Sequence, residues 1–511
     1  MSEISSNNKR VAKNTLLLYF RMLITMTVNF YISRVVLKVL GVEDYGIYNV
    51  VGGVVTMLSF LNACMTTSTQ RYLTFELGRG DFVRLKRLFA ASLNVHIAIC
   101  LCIILSANTI GLWFLNTYLN IPDNRMFAAN VVFQFSIFTF CADVVRSPFN
   151  AAIIAHERMN VFAYISIAEA FMKLGVACII SIATFDKLEL YALLVFIVHL
   201  SICLLYQLYC HRKYAECRFR LFWDKKMYAE LTGFAGWNMF GSIAWLMKDQ
   251  GVNILLNLFF GPLVNAARGL AMQVSNAVMG FVSNFQTALS PQITKNYSQG
   301  YIEQMEGLAY KGSRYSFFLL FFIAFPLMLN IDVVLDLWLE EVPQYASGFI
   351  ILIMIESLGN ILWGNTMIVS MMATGKIRNY QIAVSSILLL IVPVSYIALK
   401  CGSNVYGVFC ISICITLLAG MARFSFCHKQ IGYSVKRMCR EIVFPILKVL
   451  ILAVPLPVFV KLTNFSGNGM VGFVILSLLT VLVTGCSIGL LGLSKAERDI
   501  VINQIKKRIQ K

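Results

Sequence analysis

Apolar runs of about 18 residues or more recur from one end of the chain to the other, broken by short polar stretches. They predict fourteen helical spans near residues 13–36, 46–70, 88–113, 126–153, 161–184, 190–210, 232–258, 266–290, 312–333, 346–372, 380–399, 405–427, 441–461 and 471–492. Each is long enough to cross a hydrocarbon core of roughly 30 Å. Short alternating segments of the β-barrel kind are absent from the sequence. The expected fold class is an all-α polytopic membrane protein.

Four of the spans, one, two, seven and eight, carry polar faces; in span one Arg21 shares a face with Asn14, Thr25 and Asn29. On a helical wheel Tyr45, Asn49, Gly52, Thr56, Ser59, Thr66 and Gln70 share one face. Arg268, Ser275, Ser283 and Gln286 do the same in span eight, and Asn238, Ser242, Asp249 and Asn253 in span seven. Gly41–Gln70 and Gly261–Ser290 lie 220 residues apart and begin alike, with Gly after an apolar run. The loop AHERMN (Ala155–Asn160) similarly returns as ATGKIRN (Ala373–Asn379). That offset is six spans, and an even number preserves orientation. Two parallel six-helix repeats are therefore expected, with two extra C-terminal helices. The predicted division is a bundle over 1–211, a linker over 212–231, a second bundle over 232–428, and the helix pair with a basic tail over 429–511. Polar stripes at matching places in two halves point to a water-accessible path.

Composition agrees. Of 511 residues 58% are hydrophobic and 13% charged, where a soluble chain is about a quarter charged. Lys and Arg gather in the loops after even-numbered spans, which predicts cytoplasmic termini. The net charge of +18 is then a topology signal, and no nucleic-acid partner is expected. The first apolar run carries Arg21 and Asn29 and no small-residue cleavage site, so it is expected to be retained as a helix. Most of the 14 cysteines lie in apolar segments and pack as small hydrophobes. Cys210, His211 and Cys217 have no second ligand pair, so no metal is expected. There is no Walker A sequence, no H-E-x-x-H and no G-x-S-x-G. No cofactor and no enzymatic activity are expected.

LGVEDYGIYNV after the first span, and GWNMFGSIAW followed by NLFFGPLVNAARGLAMQVSNAVMGFVSNFQTALSPQI, resemble bacterial oligosaccharide flippases of polysaccharide biosynthesis. That family (O-antigen and capsule repeat flippases) belongs to the multidrug/oligosaccharidyl-lipid/polysaccharide exporter superfamily. The resemblance covers nearly the whole chain. It implies a V-shaped pair of bundles around a cavity that opens alternately to each side. It also implies a cargo of undecaprenyl-diphosphate-linked sugar repeats moving from the cytoplasmic to the periplasmic leaflet of the bacterial inner membrane. Partners would be the lipid-linked oligosaccharide, membrane lipids, protons or sodium, and a polysaccharide polymerase or glycosyltransferase complex.

Ionisable residues inside the bilayer cost about 2.5–3.5 kcal/mol each near its centre and usually face a cavity or a partner. Here they are Arg21, Arg34, Asp143, Arg146, Glu169, Lys173, Lys248, Asp249, Arg268 and Glu356. Asp143 with Arg146, and Glu169 with Lys173, are spaced to neutralise each other on one helix face. Arg34 is near a helix end and can snorkel. Adjacent Lys248 and Asp249 point about 100° apart. Arg21 has no acidic residue three or four positions away. Arginine offers a bidentate fork to phosphate oxygens, so Arg21, Arg268 and Lys248 are the expected diphosphate contacts. Asn29, Asn49, Asn238 and Gln286 are expected to meet sugar hydroxyls. Asp249 and Glu356 are candidates for ion coupling. His96 and His199 are expected to bond across helices rather than relay protons.

Two other readings stand beside the flippase. A drug/cation antiporter of the same superfamily would favour acidic and aromatic cavity residues. A membrane-embedded polysaccharide polymerase or ligase would need a long external loop, and the external loops are short.

Overall fold

The computed structural model describes residues 2–56, 59–118, 121–218, 223–339, 342–463, 469–494 and 497–499. Among them there is helix and no strand. Unit one of the chain is Met1–Ser242 with Thr294–Gly300, and unit two is Ile243–Ile293 with Tyr301–Lys511. Unit one is built from α1 (Ser2–Thr56), α2 (Ser59–Arg79), α3 (Phe82–Ser106), α4 (Leu112–Tyr118), α5 (Met126–Ala155), α6 (Met159–Ile182) and α7 (Lys187–Lys213). The chain passes from one unit to the other within α8 (Lys225–Phe260) and α9 (Pro262–Ser298). Unit two continues through α10 (Ile302–Leu329), α11 (Ile331–Trp338), α12 (Ala346–Leu362), α13 (Asn365–Thr374), α14 (Arg378–Leu389) and α15 (Ile391–Lys400). It ends with α16 (Val405–Ile431), α17 (Val435–Met438), α18 (Phe444–Ala453), α19 (Pro455–Leu462) and α20 (Gly469–Ser487).

Each of the fourteen expected spans lies on one of these helices or on consecutive ones. Eleven helical stretches are long and apolar enough to cross a membrane by length and composition. The remaining three are the polar-striped spans two, seven and eight. Span two also crosses residues 57 and 58, outside the described set, and the side chain of Thr56 in its stripe is outside it too. Much of the basic tail, including Lys495, Lys506, Lys507, Arg508 and Lys511, is likewise outside the described residues, as is Arg220. The chain is a multi-pass membrane protein, and its outer faces carry lipid-compatible side chains such as Phe20, Phe30, Ile182 and Leu263, all well exposed.

The internal repeat is visible in backbone and hydrogen bonds. Gly41 bends α1 at φ 79°, and Gly261 separates α8 from α9 at φ 84°. Both are left-handed positions that glycine adopts without a Cβ penalty. The loops at Glu157 (φ 57°) and Gly375 (φ 74°) also match. Cys210 Sγ donates to the Phe149 carbonyl at 3.6 Å, and Cys427 Sγ to the Met367 carbonyl at 3.8 Å. The next residues, His211 and His428, each place Nδ1 at a carbonyl five or six residues ahead, Cys217 at 3.2 Å and Tyr433 at 2.6 Å. The helices thus recur in the same order and sense.

Helix association in lipid relies on close packing rather than on expelling water. In unit one Ala128, Ala129, Ala151, Ala152, Ala155, Ala163, Ala170 and Ala177 are all buried, which lets α5 and α6 approach their neighbours closely. Phe133 and Ile137 fill one core cluster, and Phe89, Phe149 and Ile202 a second. In unit two Tyr310, Tyr433 and Phe349 are the large fully buried side chains. Gly420 on α16 gives its space to the Trp363 indole, which a Cβ there would overlap. Gly420→Val should therefore destabilise by about 1–3 kcal/mol through overpacking, read as an earlier thermal transition of the purified protein.

Sequence reasoning passed over a clamp in unit one. Arg125 donates from Nε to Asp44 at 2.8 Å and from Nη1 to Asp186 at 2.5 Å. It ties the segment after the Gly41 bend to the start of α7. Asp186 also caps α7, accepting from the Leu188 and Glu189 amides at 3.0 and 3.2 Å. Burial works to raise the Asp186 carboxyl, but the Arg125 hydrogen bond and those amides outweigh it, and the group sits below its ordinary value. A depressed carboxyl stabilises the fold fully above its unfolded value, near 3.9, and that stability fades as pH falls through the folded value. Thermal stability measured across acid pH should show this loss, and Asp186→Asn should flatten it while lowering stability at neutral pH.

Candidate functional site

One face of α8 and the first half of α9 meet α12 and α16 around a cavity in unit two. One helical face of each contributes: Trp245, Lys248, Asp249 and Val252; Arg268, Met272, Ser275, Asn276 and Met279; Ile353, Glu356, Ser357 and Asn360; Val408, Phe409 and Ser412. The spacing of three and four residues within each group is what aims them at one point. The cavity volume is 210 Å³. Pockets for drug-sized ligands run about 300–1,000 Å³, so this one takes a compact polar group.

Its four ionisable residues form two ion pairs. Lys248 Nζ meets Glu356 Oε1 at 2.5 Å. The same oxygen accepts from Ser412 Oγ at 2.9 Å and Thr416 Oγ1 at 3.0 Å, so Glu356 ties α8 to α16 through α12. Lys248 also lies 4.7 Å from the Trp245 ring centroid, a cation–π distance. Arg268 Nη2 donates to the Asp249 carboxylate and, at 3.2 Å, to the Asp249 carbonyl. Adjacent Lys248 and Asp249 thus pair with different helices, as their angular separation requires. Arg268 Nε is buried without a hydrogen-bond partner among the described residues.

The other expected contacts lie elsewhere. Arg21 is in unit one, its guanidinium 4.6 Å from the Phe162 ring centroid. Asn29 on α1 is exposed, its carbonyl accepting from Ser33 Oγ at 2.9 Å. Asn49 is exposed and returns its amide to the Tyr45 carbonyl at 2.8 Å. Asn238 is buried in unit one. Gln286 is buried and donates to Ser316 Oγ at 3.2 Å, joining α9 to α10. The cavity therefore brings together Lys248, Asp249, Arg268 and Glu356, and none of the other five.

Unit one holds a second charged network. Arg146 pairs with Asp143 at 3.0 Å and with Glu169 at 2.9 Å. Lys173 reaches Glu169 at 2.8 Å, and His199 reaches Asp143 at 2.9 Å. The two pairs expected along single helices are present, and they are joined across α5, α6 and α7. His199 does bond across helices; His96 instead places Nδ1 2.8 Å from the carbonyl of Ser92 on its own helix. Sequence reasoning did not single out Arg423, which is buried on α16 and donates to Tyr380 at 3.0 Å and to the Trp363 carbonyl at 2.9 Å. It also missed Asn276, Asn360, Ser412 and Thr416. The spacing of four in Glu356–Asn360 and in Ser412–Thr416 is the signal that finds the last three.

The fold has clear counterparts among solved structures. A MATE transporter in its straight conformation superposes with a TM-score of 0.71 at 13% identity, covering 83% of this chain and 96% of its own. A Vibrio cholerae MATE transporter in its bent form gives 0.71 at 15%, covering 86% and 100%. A Pyrococcus furiosus transporter of the MOP superfamily, described as having a binding pocket of reversed polarity that suggests a different function, gives 0.68 at 12%, covering 83% and 96%. No protein-family profile and no curated protein matches the sequence. The chain has the fold of these transporters.

Removing one partner of a buried ion pair leaves an uncompensated charge and costs about 3–5 kcal/mol, whereas replacing both with apolar residues is near neutral. Lys248→Met and Glu356→Leu should each lower the thermal transition markedly, and the double substitution should restore most of it. Additive losses in the double variant would show that the two residues do not act as a pair.

Proposed function

We propose that this chain is an alternating-access transporter that carries a lipid-linked oligosaccharide across the bacterial cytoplasmic membrane without altering it. The cargo is an undecaprenyl-diphosphate-linked sugar repeat, moved to the periplasmic leaflet for surface polysaccharide synthesis. The observation that carries the reading is the unit-two cavity, where a nine-tenths buried arginine keeps a donor unused beside polar hydroxyls and amides. A diphosphate is a compact doubly charged group, matched to a guanidinium fork and to a space of 210 Å³. The polyprenyl tail stays in lipid, and the glycan lies outside this cavity. Arg268 is the principal contact, and Lys248 acts through Glu356. Arg21, Asn29, Asn49 and Asn238 lie in unit one, outside this cavity, and Gln286 packs α9 against α10. The termini are cytoplasmic by the lysine and arginine bias. Protons or sodium drive the cycle, and a polymerase or glycosyltransferase complex supplies and consumes the cargo.

A drug/cation antiporter is the second reading. A specific observation favours it: Asp249, its side chain 31% exposed, shares the cavity with Trp245. An acid beside an aromatic ring suits a cationic drug.

One experiment separates them. In a strain lacking its own repeat-unit flippase, the chain should restore surface polysaccharide. Arg268→Ala should reduce that restoration at least tenfold with unchanged protein level, and Arg21→Ala should reduce it too. Lowered dye retention without restored polysaccharide would establish the antiporter instead.

A further inference from the structure

We infer that Asp249 is a resident counter-ion which an incoming anion displaces from Arg268, so that each anion bound in the unit-two cavity brings one proton with it. The inference rests on the anion-site reading above and adds what the cavity does with its own negative charge.

The two ion pairs are unequal. Glu356 Oε1 is held by three donors, Lys248 at 2.5 Å, Ser412 at 2.9 Å and Thr416 at 3.0 Å, from α8 and α16. Lys248 is 6% exposed and its ammonium also faces the Trp245 ring. That pair is closed. The Asp249–Arg268 pair is open. Among the described residues the guanidinium is engaged through Nη2, on the carboxylate and on the Asp249 carbonyl. Nε has no hydrogen-bond partner among them, and the Asp249 side chain is the most exposed of the four.

A phosphate group uses the Nε and Nη donors of an arginine together. It cannot take that grip while the carboxylate holds Nη2, so Asp249 must give way. The groups facing it then decide its state. On its own helix Lys248 is already committed to Glu356. On α9 the Arg268 charge is taken by the anion. From α12 the charged neighbour is Glu356 itself, and α16 offers the uncharged Ser412. A carboxylate left beside an anion, with no free cation in a space of low dielectric, is strongly disfavoured. It takes a proton from solvent onto a carboxyl oxygen. No other bond is made or broken: the proton neutralises Asp249, and Arg268, released from it, balances one of the two diphosphate charges.

The sign follows by mass action. If one proton accompanies each anion, binding tightens as pH falls and weakens by up to about tenfold per pH unit as it rises. The window is bounded above by the pH at which the anion binds without a proton.

The test uses the full chain in detergent micelles with dimethyl diphosphate, a diester whose own charge is constant from mildly acidic to mildly alkaline pH. Calorimetric titration in weak buffer should show about one proton taken up per anion, with the pH slope above. Asp249→Asn should still bind but with no uptake and no slope, and Asp249→Glu should keep both. Arg268→Gln should lose binding at every pH. Wild-type binding with a flat pH profile and no proton uptake would overturn the inference while leaving the anion site standing. Equal binding by wild type and Arg268→Gln, or no binding by wild type, would remove the anion site and the inference with it. Should Asp249→Asn fail to fold, proton uptake by the wild type alone decides.

Discussion

A charge placed in hydrocarbon must find a partner, and this requirement organises the interior of the protein. Eight of the ten intramembrane charges anticipated from the sequence stand in ion pairs: Asp143, Arg146, Glu169, Lys173, Lys248, Asp249, Arg268 and Glu356. Of the other two, Arg21 lies against an aromatic ring and Arg34 is exposed; Arg423, outside that set, reaches a tyrosine and a backbone carbonyl. Buried pairs of this kind rarely stabilise more than well-packed apolar residues would. Their presence on helices that must also insert into a membrane is thus a cost without a packing return, and the explanation lies in what the charges do.

The internal repeat sharpens that point. The cysteine–carbonyl and histidine–carbonyl bonds recur at an offset near 217 residues, so the scaffold of the two units is shared. The charges are not. By that offset His199 on α7 corresponds to Thr416 on α16, and Asp143 on α5 to Asn360 on α12. Arg146 lies 5.8 Å from the Tyr206 ring in unit one; in unit two the arginine is on the other helix, Arg423, and the aromatic residue is Trp363. The sequence has kept the helices and exchanged their chemistry. In unit one five groups close on each other across three helices. In unit two the corresponding helices carry hydroxyls and amides with one carboxylate, Glu356 on α12, and the other three cavity charges come from α8 and α9.

Much of this was legible beforehand because the signals are local. Span positions follow from run length, the Gly41 and Gly261 turns from glycine after an apolar run, and the Asp143–Arg146 and Glu169–Lys173 pairs from spacing along one helix. What could not be read was which helix faces which. Lys248 and Glu356 are 108 residues apart, and no periodicity within either span names the other. The Arg125 clamp joins three separate segments for the same reason. The polar stripe of α9 also divides: Arg268 and Ser275 line the cavity, while Gln286, farther along the same face, turns to Ser316 on α10. A helical wheel assigns one face to a whole span, but a long helix meets different neighbours along its length.

The compensated charge of the unit-two cavity has a bearing on how a carrier must work. A bare buried arginine would be costly when empty and would hold a diphosphate too tightly to release it, since binding and release are the same free energy with opposite sign. Supplying the cation with its own carboxylate solves both problems at once. The empty site is neutral and stable in a low-dielectric setting. On the proposed reading, binding would be weakened by the free energy of the pair that has to be broken, which brings affinity into a range where cargo can leave. The closed Lys248–Glu356 pair next to it ties α8, α12 and α16 together, so the proposed exchange at Arg268 would need only one side chain to swing. A cavity built from one rigid pair and one yielding pair is the arrangement expected of a site that must be emptied as readily as it is filled.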